Sequence, residues 1–244
     1  MGLILILLKI LSFLVFFLLV KKFFGHFLTA FFLSVLFLII PWQTQSNQFE
    51  INQSLILIIT GLFFLIVYKK KMLPDFKKLI MIFVLFFLSS ILLIINNFPT
   101  NNFPFFLDQK EIANITLYQN IINPINPTFS RLLSNKATYI LKKMNVNFFE
   151  SFDPNYYFFA NHPLERVGIK ETEKLYSWLL PFFIIGCVSL NLITYGPIVF
   201  WVAFVFLFSS LFSNRFSEII ILLIIPFLLI IGVGFEKIRN EIKI

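Results

Sequence analysis

The sequence predicts an all-α fold, a polytopic membrane helix bundle of about seven transmembrane helices with one extracytoplasmic loop that contains an amphipathic helix. Three observations predict it. Hydrophobic residues make up 59% of the 244, 36 of them Phe, and mean hydropathy is +0.89, more apolar surface than a soluble fold of this length can bury. Seven apolar runs approach the roughly 17 to 25 residues that cross a hydrocarbon core of about 30 Å. Lysine and arginine collect at alternate ends of those runs, as positive-inside sorting requires.

In chain order the runs are 2–20, 23–42, 54–68, 79–95, 178–193, 195–211 and 219–235. The first reads as a retained span rather than a cleaved signal, because Lys21 and Lys22 follow it and no small-residue cleavage site comes after. Gly25 supplies the turn of a tight hairpin into the second run. Lys69, Lys70, Lys71, Lys77 and Lys78 separate the third and fourth runs, and Lys237, Arg239 and Lys243 follow the seventh. Strict alternation puts all three basic groups on one side. The opposite side receives 43–53, without Lys or Arg, and the turn 213–217 with Arg215. The expected location is therefore the plasma (inner) membrane, N-terminus outside and C-terminus cytoplasmic. Trp42, Tyr176 and Trp178 fall at outer interfaces and Tyr68 at an inner one.

This divides the chain into a four-helix part (1–95), an extracytoplasmic region (96–177) and a three-helix part with a short cytoplasmic tail (178–244). Within the middle region, 128–149 repeats Phe129, Leu132, Leu133, Ala137, Ile140, Leu141, Met144 and Phe148 at helical spacing. Two readings are open: a helix lying on the outer membrane surface, or a stripe packed on the rest of the loop.

Composition also excludes classes. The net charge of +8 sits at span ends rather than along an aromatic-interleaved stripe, so nucleic acid is not an expected partner. One cysteine, Cys187, rules out an internal disulfide and reads as a packing residue. His26 and His162 fall on opposite faces, so no metal site is expected, and no cofactor signature is present. With no Asp or Glu in the middle of a run, a carboxylate proton relay is disfavoured.

The candidate site residues are few. Lys9 lies midway along the first run, where an ammonium costs about 2.5 to 3.5 kcal/mol. It snorkels, contacts a lipid phosphate or lines a polar cavity. The cluster 153–168 brings Asp153, His162, Glu165 and Arg166 close in sequence before the chain re-enters the membrane. Arg166 has the fork geometry for a phosphate, with His162 or Glu165 as proton donor or acceptor and Asp153 as a further candidate catalytic carboxylate. Asp153-Pro154 and His162-Pro163 are equally ordinary turn signals.

Residues 131–139, the run Phe152 to Phe159, His162 to Gly168, and Leu179-Leu180-Pro181-Phe182-Phe183-Ile184-Ile185-Gly186 keep a recognisable order. Over 131–195 this resembles the outer loop and following helix of bacterial polyprenyl-phosphate-sugar-dependent glycosyltransferases of the GT-C class, similar to protein O-mannosyltransferases. The resemblance implies an envelope protein that handles lipid-linked sugars, with the loop near a polyprenyl-phosphate carrier. That class holds its catalytic carboxylates in the first outer loop, where this chain offers Glu50 alone. Two functional expectations follow. One is an accessory, non-catalytic envelope protein binding membrane lipid, a lipid carrier or another membrane protein. The other is a glycosyltransferase-like enzyme with Glu50 or Asp153 as base and Arg166 on the carrier phosphate.

Overall fold

The computed structural model describes residues 2–41, 50–69, 76–95, 107, 109–128, 135–159, 174–210 and 221–242. Among them every regular element is helical: α1 (Gly2–Phe24), α2 (Phe27–Ile39), α3 (Glu50–Lys69), α4 (Phe76–Ile95), α5 (Gln109–Ile122), α6 (Lys136–Ser151), α7 (Pro154–Phe158), a 3-10 turn (Ser177–Leu179), α8 (Leu180–Ser189), α9 (Leu192–Ser209) and α10 (Ile221–Ile242). Three stretches, Leu3–Phe24, Ile51–Tyr68 and Ile221–Ile242, are long and apolar enough to cross a membrane. Phe27–Ile39 and Ile80–Leu92 are shorter apolar helices.

Local chemistry sets the boundaries. Without an internal Gly or Pro, α1 continues past the expected Val20 until Gly25, whose φ of +74° only glycine adopts freely. The Gly25 N–H still reaches Lys21 O at 3.0 Å, and His26 then opens α2. The expected hairpin is formed. The fifth and sixth apolar runs, read from sequence as two separate spans, form a pair bent by 117° between Ser177–Ser189 and Thr194–Ser209. At 1.5 Å per residue, α8 reaches only about 15 Å, half a hydrocarbon core. Its last N–H bond is Leu190 to Cys187 O, and Asn191 O already accepts from Thr194 and Tyr195 to start α9.

The chain forms two compact units, the first comprising Met1–Asn97, Pro154–Val205 and Ser217–Ile244, the second Phe98–Asp153 and Phe206–Phe216. In the first unit α10 is the hub, buried on every side from Ile221 to Gly234, and it packs against α8, α3 and α2. Facing residues give the directions. Gly61 meets Val15 and Ile225, and Gly232 meets Phe24, so α1 and α10 run in the same sense. Phe23 stacks edge-on against Tyr68 at 4.6 Å, which adds α3 to that set. Thr29 joins Glu236 while Leu33 faces Gly232, so α2 runs against them. The ends carrying Lys21 and Lys22, Lys69, and Arg239 therefore converge at one end of this unit.

Glycine sets how closely α8 approaches. A Cβ at Gly186 would strike Ile230 O and one at Gly234 would strike Phe182 O, so the two backbones touch and run in opposing senses. Gly186, Gly232 and Gly234 are all points of tight packing.

Pro226 lies inside α10 and has no N–H, which leaves Leu222 O without its helical partner. The buried Trp201 indole of α9 donates to that carbonyl at 2.9 Å. Phe63, Phe64, Phe83 and Phe87 surround the same ring, with centroids 4.8 to 5.6 Å away. A break in the backbone ladder is thus closed by a side chain from a neighbouring helix.

In the second unit Lys143 Nζ joins Glu111 Oε1 at 2.7 Å, pairing α6 with α5. Thr138 N–H donates to Asn135 Oδ1 at 2.8 Å while Asn135 N–H donates to Thr138 Oγ1 at 3.1 Å. This reciprocal cap starts α6 at Lys136, and residues 129–134 of the expected stripe, with Phe129, Leu132 and Leu133, lie outside the described residues. The stripe read from sequence divides: Ile140 and Met144 are half-buried and Leu141 is exposed.

Candidate functional site

The residues singled out from sequence are distributed along the chain. Lys9 is exposed on α1, on the side of that helix that farther along carries the buried Phe16 and Val20. Glu50 opens α3, and its side chain lies outside the described residues. Asp153 is half-buried immediately before Pro154, which takes the first helical position of α7 as its fixed φ suits. His162, Glu165 and Arg166 lie outside the described residues. Lys9 belongs to the first unit and Asp153 to the second.

A polar centre that the sequence reading missed stands just after that segment, in the first unit. Lys174 is only 6% exposed, a rare state for a lysine. Two backbone bonds hold it: its own N–H and that of Leu175 donate to Tyr157 O at 3.2 and 2.8 Å. The ammonium Nζ lies 4.8 Å from the ring centroid of Tyr156, within cation–π range. Tyr156 and Tyr157 are themselves buried. Below them Tyr157 packs on Phe227 of α10 at 5.0 Å and Phe158 on Phe183 of α8 at 5.4 Å. Aromatic packing therefore fixes α7, and α7 fixes the lysine.

Burial determines the electrostatics. Removing water disfavours the ammonium and pushes the Lys174 pKa down to about 8, while burial, with Tyr157 beside it, pushes the Tyr156 hydroxyl up. At neutral pH the lysine is still charged. A desolvated ammonium with three donors suits an anionic oxygen, and an arriving phosphate or carboxylate would draw the pKa back up. In the sequence Lys174 closes the charged run Lys170-Glu171-Thr172-Glu173-Lys174, which carries no local signal of burial. Only the contact with Tyr156 and Tyr157, seventeen or more positions earlier, takes it out of water.

A second polar centre lies where α2 meets the end of α10. Arg239 Nη2 bonds Glu236 Oε2 at 2.5 Å and Arg239 Nη1 donates to Thr29 Oγ1 at 3.2 Å. The Thr29 hydroxyl donates to Glu236 Oε1. The Arg239 and Glu236 side chains are 17% and 13% exposed. Arg239 was read as a topogenic charge, and Glu236 was passed over as lying beyond the apolar run. Their three-residue spacing on one helix face was the available signal. The arrangement closes on itself and acts as a clamp between helices.

No family model, no curated protein and no solved structure matches this chain.

Proposed function

We propose that this chain is a multi-pass integral membrane protein of the cell envelope that acts as an accessory, non-catalytic component and binds the anionic head of a membrane lipid or lipid carrier. The observation that carries the reading is the buried Lys174 ammonium, held against Tyr156 on a platform of packed aromatics. A phosphate or carboxylate reaching that ammonium would be held by charge and hydrogen bonding together. Apolar helices long enough to span a bilayer, with wide exposed apolar faces, support the membrane setting.

In this reading α1, α2, α3, α4 and α10 cross the membrane, and the bent pair α8–α9 returns the chain to the side it left. Five crossings sort the basic ends as seven would, because both numbers are odd. The converging helix ends with Lys21, Lys22, Lys69 and Arg239 are cytoplasmic, and 96–177 is extracytoplasmic.

Binding is tested with the purified chain in nanodiscs, comparing a short-chain polyprenyl phosphate with the matching neutral polyprenol. Tighter binding of the phosphate, with the preference lost in Lys174→Met, supports the proposal. Equal binding of the two lipids overturns it. Sugar transfer from a polyprenyl-phosphate donor that disappears in Glu50→Gln or Arg166→Ala would replace the accessory reading with the enzyme one.

A further inference from the structure

The second unit carries two rows of apolar side chains on its outside. On α5 and just after it, Leu117, Tyr118, Ile121 and Ile125 are 57%, 57%, 59% and 84% exposed. At 100° per residue the first three fall within an arc of about 100°, centred about 110° from the buried Ile115. On α6 the exposed arc holds Leu141, Val146 and Phe149, continued by Phe152 in the next turn. Ile140, Lys143, Met144 and Asn147 occupy the arc that faces inward. Each helix therefore uses one side to hold the unit together and leaves a second, apolar side open.

Charge separates the ways of covering such faces. On the described side chains of α5 and α6, the exposed charged groups are Lys110, Lys136 and Lys142, while Glu111 is half-buried against Lys143. Apolar rows flanked by lysines match a surface that is apolar beneath and anionic on top. Within the second unit, Asn147 Nδ2 donates to Ser210 O at 3.4 Å, and the Phe152 and Phe206 rings lie 4.2 Å apart, so the inward side of α6 is occupied.

We infer that the exposed faces of α5 and α6 form a docking surface for an anionic lipid bilayer, with Leu117, Ile121, Leu141 and Phe149 entering the headgroup boundary and Lys110, Lys136 and Lys142 meeting phosphates. The inference rests on the membrane setting proposed above. It does not depend on Lys174.

The test uses the full chain with Cys187→Ser, an environment-sensitive probe on Ile121→Cys or Phe149→Cys, and Thr116→Cys on the far side of α5 as control. Nanodiscs contain either neutral lipid or neutral lipid mixed with phosphatidylglycerol. In anionic discs the probes at 121 and 149 should escape aqueous iodide and be quenched by headgroup-labelled lipid, with the reverse at 116. Each lysine near an anionic surface shifts the docked-to-free ratio about fivefold, so Lys136→Gln with Lys142→Gln should lower it about 25-fold. Probes open to iodide in a chain that still resists carbonate extraction overturn the docking surface and leave the membrane setting intact. Carbonate release of the chain overturns the membrane setting itself. Equal protection in neutral discs, or protection lost when each disc holds one chain, overturns the anionic-lipid assignment in favour of plain apolar burial or a second copy.

Discussion

The bond from Trp201 to Leu222 makes a quantitative prediction, because Pro226 explains why it is needed. Replacing Trp201 with Phe keeps an aromatic ring among Phe63, Phe64, Phe83 and Phe87 but removes the donor. Leu222 O is then buried with neither the Pro226 N–H nor an indole, and an orphaned buried acceptor costs about 1 to 3 kcal/mol. Membrane interiors moderate the value, since measured side-chain bonds there average about 0.6 kcal/mol and reach about 1.7. The proline allows the effect to be isolated. Pro226→Ala restores a helical N–H four residues after Leu222, so Trp201→Phe should cost about 1 kcal/mol less in that background. Reversible unfolding of the four proteins in mixed micelles, followed by helical circular dichroism, measures the coupling. An identical cost of Trp201→Phe in both backgrounds would refute the link between the proline and the indole.

Three further outcomes follow from the same geometry. Gly234→Ala, whose Cβ would strike Phe182 O, should destabilise by about 1 to 3 kcal/mol in thermal unfolding, whereas Gly196→Ala has open space and should be neutral or slightly stabilising. Glu236→Gln should cost about 1 to 3 kcal/mol in the same assay by leaving Arg239 half-buried beside an amide, with Thr29→Val costing less. Lys174 should acylate with a half-maximal rate near pH 8 rather than near 10.5, as read by mass spectrometry of the labelled peptide. Its linkage has a definite sign. Between about pH 8 and 10.5 the unfolded chain keeps a proton that the folded chain has released, so this group makes stability rise with pH, and Lys174→Met should remove that slope.

Hydropathy made the helices legible because crossing a bilayer demands length and apolarity, and both are local properties. The first, third, fourth and seventh runs correspond to α1, α3, α4 and α10, with ends moved by a few residues where caps rather than hydropathy decide. Gly25 was readable as a turn because its conformational freedom is intrinsic. The bend between α8 and α9 was not, since hydropathy averages over a break at Leu190 and Asn191 that changes no composition. The roles of Gly186 and Gly234 depend on which helix faces them, a long-range fact that a glycine in a window does not disclose. Lys174 was hidden for the same reason: its neighbours Glu171 and Glu173 suggest solvent, and only Tyr156 and Tyr157 reveal burial. The motif-like segment that drew most notice from sequence, His162 to Arg166, falls outside the described residues.

The claim on which the rest depends is that the basic helix ends and the region 96–177 lie on opposite sides of a bilayer. Single cysteines at Lys22, Glu241 and Thr116 in a Cys187→Ser background, exposed on intact cells to a membrane-impermeant maleimide, test it directly. Labelling at 116 before lysis, with 22 and 241 reacting only after lysis, is the predicted result. Labelling of 22 and 241 on intact cells, or of all three alike, would contradict the account.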